Sequence, residues 1–410
     1  MHTSSVIKYY NIFTFLFPIS LFLGHGINST YFFVWCLFSL FLTKKNNLNT
    51  KNIISIVVLG FICISYIVSY FFVDDKKLIL KMITRSLPLL LFPLFFVINT
   101  KIINRQTLTR SLLVFSLSNT LICIFTWLKI FQQGLGRVIQ ENNFYNPIFR
   151  NIFFDTTKIH LPYLGLFFAF SIYILTILAF KEKKKKLLSV YIFSIITLTA
   201  SVVIISARTA ILSLIITVLL TIIFKLKLSN KIKVFSILAI LVSMLGISQI
   251  SSIKNRIDYL WKEKIELPNK NQNPENFNVR YGIYDCSIDI IKNNIFNGVG
   301  PTNVQKSLNE CYKKFDYKNY DDYNTITYNS HCQYSDVLMK FGFFGFVVFI
   351  ISLLWGIKNY NIFYFGFIIL ILFAFLTENL FDRQLGIMFF TFFNTLFFIT
   401  RKQHEKSNSN

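Results

Sequence analysis

His331, in Ser330-His331-Cys332-Gln333, is the lone histidine of a polar stretch, residues 251–335, set between long apolar runs. An imidazole there could accept a proton from a hydroxyl near neutral pH, although an isolated histidine is more often a structural hydrogen-bonder. Arg208, in Ser206-Ala207-Arg208-Thr209, interrupts two apolar runs. A guanidinium at that depth is costly and needs a partner, so it reads either as a snorkelling interfacial arginine or as a clamp donating two parallel hydrogen bonds to a phosphate. Arg280, in Val279-Arg280-Tyr281, has Asp285 and Asp289 as its ordinary partners; as a second guanidinium it would serve the same anion. A base beside phosphate-binding arginines is equipment for group transfer from a phosphate-bearing donor.

A membrane must position these residues. The chain has 410 residues, 54% hydrophobic, 18% aromatic and only 15% charged, too apolar for one soluble domain of that length. Apolar runs long enough or nearly long enough to cross a bilayer occupy residues 9–24, 27–42, 52–73, 78–98, 111–131, 161–180, 187–206, 209–224, 234–250, 337–355, 362–376 and 385–400. They predict an all-α polytopic membrane protein with about twelve transmembrane helices. The expected organisation is about nine spans in residues 1–250, one large outer loop in 251–335, three spans in 336–400 and a cytoplasmic tail in 401–410.

The net charge of +23 would suggest nucleic acid in a soluble protein, but here it alternates by loop. Lys44, Lys45 and Lys51; Lys101, Arg105 and Arg110; Lys181 and Lys183 to Lys186; Lys225, Lys227, Lys231 and Lys233; and Arg401 and Lys402 fall in every second connection. The positive-inside rule makes those connections and both termini cytoplasmic. The loop 251–335 is almost neutral and lies outside, so the lysine excess is topological and no nucleic-acid partner is expected. Of six cysteines, Cys286, Cys311 and Cys332 fall in that loop, where an oxidising compartment permits a Cys286–Cys311 bridge but leaves one thiol over.

Within the loop, residues 267–277 read as irregular chain, and 279–292 and 302–314 as short helices. Gly298-Val299-Gly300-Pro301 is a tight turn and a weak phosphate-binding signal, while Gly342 and Gly345 permit close packing in a span. Glu378, Asp382 and Arg383 mark a further outer turn and invite an internal ion pair; His160 opens the sixth span. No His/Cys cluster has metal-ligand spacing, and there is no Walker loop or dinucleotide fingerprint, so neither metal nor cofactor is expected.

Taken in order, Ser206-Ala207-Arg208-Thr209-Ala210, Val279-Arg280-Tyr281 with Gly298-Val299-Gly300-Pro301, and His331-Cys332-Gln333-Tyr334 followed by Gly342 and Gly345 resemble the O-antigen ligase superfamily. That family includes lipopolysaccharide O-antigen ligases, some O-antigen polymerases and protein O-oligosaccharyltransferases. The resemblance covers about residues 159–400 and implies a metal-independent, inverting transferase of GT-C-like helical fold in the bacterial inner membrane, working on the periplasmic face. It carries the family's two arginines onto Arg208 and Arg280, which would hold the diphosphate of an undecaprenyl-diphosphate-linked glycan, and its histidine onto His331 as the base. Members often have His-Asn or His-Ser where this chain has His331-Cys332. The expected acceptor is lipid A-core or another glycan, and Glu378, Asp382 and His160 are candidates for orienting the base or binding acceptor hydroxyls. A polymerase joining lipid-linked repeats would use nearly the same motifs. A glycan flippase would have a similar span count but should carry charges along a central pathway.

Overall fold

The computed structural model describes residues 2–43, 49–142, 146–226, 228–249, 254, 267, 279–315, 327–356 and 361–407. All regular elements among them are helical. In chain order they are α1 (His2–Ser20), α2 (His25–Leu42), α3 (Thr50–Leu59), α4 (Phe61–Ser69), α5 (Lys76–Ile98), α6 (Arg105–Gln132), α7 (Leu135–Glu141), α8 (Ile148–Thr157), α9 (Leu161–Ala179), α10 (Lys185–Ile204), α11 (Arg208–Phe224), α12 (Asn230–Ser248), α13 (Val279–Asn293), α14 (Val304–Tyr312), α15 (Gln333–Leu354), α16 (Ile362–Thr377) and α17 (Gln384–Ser407).

By length and composition α2, α5, α6, α9, α10 and α15 can each cross a membrane alone. α3 and α4 are long and apolar enough only as a pair, and the pair is bent by 73°, the geometry of a broken span or a re-entrant loop, with Gly60 at the break. The sequence read this pair as one continuous run, because hydropathy records length and not direction. α11, α16 and residues 384–400 of α17 are shorter apolar helices; with α1 and α12 every apolar run has a helical counterpart. This is an all-α, multi-pass membrane protein.

Side-chain caps set where several spans begin. Asn49, Asp75, Asn104 and Asn361 each accept a hydrogen bond from a backbone N–H in the first turn of α3, α5, α6 and α16, satisfying donors that lipid could not. α9 forms the middle of the bundle, mostly buried against α6, α10, α11 and α16. Its Phe167 and Phe170 interleave with Phe115, Phe367, Phe389 and Phe393. With lipid as apolar as the core, such packing rather than water exclusion holds the helices together.

The loop before α15 carries a small folded unit of its own. Cys286 of α13 and Cys311 of α14 form a disulfide, which resolves the pairing and leaves Cys332 as a free thiol. Ile283, Cys286, Leu308, Tyr312 and Phe315 enclose a second core that also takes in Met339 of α15. Each such buried apolar side chain contributes about 1.5–3 kcal/mol. Lys314 bridges Asp285 at 2.6 Å and Asp289 at 2.8 Å. The expected irregular segment 267–277 lies outside the described residues, except residue 267, which is non-helical. Of the return chain only residues from 327 onward are described. α17 continues as helix into the expected tail, to Ser407.

The two glycine motifs explain one another. Gly342 interrupts α15 with φ 64° and ψ −167°, a conformation open essentially to glycine alone. A Cβ there would overlap the Phe296 carbonyl, and one at Gly298 would run into the Met339 carbonyl and the Gly342 amide. At this junction Val299 N–H donates to Met339 O and Phe343 N–H to Ile295 O, both at 2.7 Å. The turn 294–300 is thus inserted into a break in the tenth span. Its glycines serve backbone-to-backbone docking, which replaces both the phosphate-turn reading of Gly298-Val299-Gly300 and the ordinary helix-packing reading of Gly342.

Candidate functional site

Among the described residues, three that are not glycine have positive φ: Lys158 at 53°, Ser206 at 50° and His331 at 46°. Each lies at, or two residues before, a residue singled out from the sequence: His160, Arg208 and His331 itself. Left-handed backbone costs such residues about 1–3 kcal/mol each, a cost that collects where a fold holds side chains for a task.

Ser206 turns the chain between α10 and α11, and Arg208 follows as the first residue of α11. Gly165 of α9 makes room: a Cβ there would come within 2.6 Å of the Ala207 Cβ. Thr377 Oγ1 donates to Thr209 Oγ1 at 3.2 Å, tying the end of α16 to the start of α11. The result is a cavity of about 330 Å³ lined by Arg150, Arg208, Arg280 and Glu378, with Ser206, Thr209 and Thr377 between them.

Arg280, the second residue of α13, points back over the bundle and pairs with Glu378 at 3.6 Å. Glu378 caps the C-terminal end of α16, and its side chain is 12% exposed. Burial drives its carboxyl up, against Arg280 and Arg383, to a pKa of about 7. It therefore loses or gains a proton near physiological pH.

Arg150, on α8, went unnoticed in the sequence. It is half-buried and lies close enough to Arg208 that burial first, and Arg208 second, lower its pKa. A third guanidinium thus faces the cavity from a loop that carries no motif.

His331 is half-buried. Burial, then Arg280, lowers its pKa to about 4; Asp382 opposes this and Arg383 adds to it. The imidazole is neutral at neutral pH, and its Nδ1 is buried without a hydrogen-bond partner. The backbone holds it: His331 N–H donates to Asn329 Oδ1 at 3.1 Å, and Asn329 Nδ2 donates to Asp382 Oδ2 at 2.8 Å.

By hydrogen bonds Asp382 reaches the His331 backbone through Asn329, and Ser330 before it through Asn379. Its other partners are Asn379 Nδ2 at 3.2 Å and Lys340 Nζ at 3.5 Å. Burial pushes its carboxyl up, but Lys340, Asn329 and Asn379 outweigh that and hold it below the usual value. Lys340 also pairs with Asp336 one turn earlier, at 2.6 Å, both side chains almost wholly buried. This pair escaped the sequence reading, although an acidic and a basic residue four apart in an apolar span is the signal that finds such pairs.

His160 precedes α9 and belongs to the same field of charges. Burial first, then Arg383, His331, Arg150 and Arg280, lower its pKa to about 4. Its Nδ1 is likewise buried without a partner. Arg383 stacks over Tyr163 at 6.0 Å.

The arrangement offers fixed positive charge for an anion, a carboxyl that can become neutral and a neutral imidazole with an open lone pair. No curated protein matches the chain. Residues 192–350, the stretch of this multi-pass membrane protein that holds Arg208, Arg280 and His331, match the family model described as O-antigen ligase.

Proposed function

We propose that the protein transfers a glycan from undecaprenyl diphosphate to a sugar hydroxyl of lipid A-core, on the periplasmic face of the inner membrane and with both termini cytoplasmic. The observation that carries this reading is the convergence of Arg150, Arg208 and Arg280 on one cavity, with His331 outside its lining but within the electrostatic reach of Arg280. The family match supports a membrane glycosyltransferase of O-antigen ligase or polymerase type.

In this reading the donor diphosphate occupies the cavity. The acceptor oxygen attacks the anomeric carbon as the bond from that carbon to the phosphate oxygen breaks, with inversion. The electron pair leaves on undecaprenyl diphosphate, where fixed guanidiniums stabilise the growing charge more in the transition state than in the ground state. His331 takes the proton from the attacking hydroxyl. An imidazole of pKa about 4 is a weak base; the arriving diphosphate offsets the share of that lowering that comes from Arg280 and Arg383, while burial, the larger cause, remains. Glu378 gives up Arg280 to the phosphate and becomes neutral by taking up a proton.

The test is complementation of a deletion strain with wild type or His331→Ala, reading the lipopolysaccharide ladder and the lipid-linked glycan together. Bare core with long chains left on the carrier is expected for the variant. Core bearing a single repeat would instead mark a polymerase, and full rescue would remove His331 as the base.

A further inference from the structure

A second cavity, of about 800 Å³, opens between α2, α5 and α17, on the other side of the 379–383 turn from the arginine cavity. Its upper rim is polar: Lys81 and Arg85 of α5 and Gln384 of α17, whose Nε2 donates to Ser29 Oγ at 2.8 Å. Below the rim the wall is apolar, running down α2 through Phe33 and Leu40 and down α5 through Leu91 and Phe95. From Lys81 to Phe95 the groove descends about 20 Å at ~1.5 Å per residue. That exceeds the roughly 15 Å hydrocarbon depth of one leaflet, half of a ~30 Å core.

Lys81 is exposed, and no carboxylate lies within ion-pair distance of it among the described residues. Arg85, one turn on, donates to the Asp382 backbone carbonyl. A cationic rim above an apolar trough one leaflet deep complements an amphiphile with an anionic head. We propose that this groove binds a membrane lipid through its phosphate, the head group at Lys81 and Arg85 and one chain along α2 and α5. The contact from Arg85 to Asp382, and from there through Asn329 to His331, joins the lipid's head group to the loop that holds the histidine. Lipid binding itself does not depend on the transfer reading.

Native mass spectrometry of the full-length protein in neutral detergent tests it, with dioleoyl phosphatidic acid, dioleoylglycerol and inorganic phosphate as probes. Wild type should retain phosphatidic acid better than dioleoylglycerol by more than about five-fold, the worth of one lysine near a lipid phosphate. Inorganic phosphate, lacking a chain, should not be retained. Lys81→Gln should cut that preference about five-fold, leaving only what Arg85 contributes, and Leu37→Trp, which fills the trough from its α2 wall, should reduce both lipids. His331→Ala should bind lipid like wild type, so failure of the transfer reading and failure of this one are separable. Equal retention of phosphatidic acid by wild type, Lys81→Gln and Leu37→Trp, no preference over dioleoylglycerol, or retention of inorganic phosphate alone would each overturn the proposal.

Discussion

Replacing Glu378 by glutamine should make donor binding tighter at alkaline pH and nearly independent of pH from 6 to 8. The free carboxyl has a pKa of about 7 and shares Arg280. A diphosphate that takes that arginine and adds its own negative charge raises the carboxyl further, so binding takes up a proton. Linkage fixes the size of the effect. With a bound pKa above 8, affinity is almost unaffected at pH 6 and carries a penalty of about 1.4 kcal/mol at pH 8, where roughly one carboxyl in ten is protonated. Wild-type affinity should therefore fall about ten-fold from pH 6 to 8, and close to half a proton should be taken up by this group at pH 7. The side chain of Glu378→Gln is neutral throughout and removes both effects while keeping an oxygen for Arg280. The assay is calorimetry in buffers of different ionisation enthalpy, with N-acetylglucosaminyl diphosphoryl farnesol as ligand. That probe is a diphosphate diester, so its own charge is constant across the range. His331 contributes equally in both proteins. Identical pH slopes for wild type and variant would refute the placement of the diphosphate beside Glu378.

Two other perturbations follow from the geometry. Arg150→Ala should weaken donor binding roughly ten-fold or more, the loss of one charged hydrogen bond worth about 1.5–3 kcal/mol, with Arg150→Lys recovering part of it; calorimetry with the same probe measures both, and unchanged affinity would take Arg150 out of the site. Gly342→Ala should place a methyl on the Phe296 carbonyl at a backbone angle that costs about 1–3 kcal/mol, undocking the 294–300 turn and shifting Arg280. Limited proteolysis should then cut that turn while the membrane bundle keeps its helicity, and wild-type resistance would show that the junction does not position the loop.

Different features were legible in the sequence for different reasons. Span positions were, because a bilayer demands apolar length and the chain supplies it. Arg208 stands out because charge between apolar runs is expensive enough to need a partner, His331 as the lone histidine of a polar loop, Arg280 through the order of the motifs it shares with the family, and Glu378 only as one charge of an outer turn. Arg150 gave no such signal: it sits in a connecting loop, and its significance comes from facing Arg208 across a turn that folding creates. The same holds for Gly298 and Gly342, each ordinary alone and meaningful only as a pair across the loop–span junction. Asp336 and Lys340 stand four apart, but the apolar run that marks the span, 337–355, begins after the first of them and so separates the pair.

Glu378 and Asp382 stand one helical turn apart in sequence on the same outer turn, and their environments push them in opposite directions. Asp382 has Lys340 and two asparagine amides, so it stays ionised and fixes Asn329, and through it the backbone of His331. Glu378 has burial and only a 3.6 Å contact with Arg280, so its charge is conditional. Pairs of carboxyls separated in this way divide labour, one as a permanent strut and one as a group that changes protonation with the ligand. The division explains why the buried Asp336–Lys340 pair is kept in an apolar span, where removing one partner costs about 3–5 kcal/mol. Lys340 is first among the groups that hold Asp382 low, with Asn329, Asn379 and Arg85 beside it. The ammonium inside the span thus helps to keep Asp382 charged, while Glu378 remains free to follow the anion in the cavity.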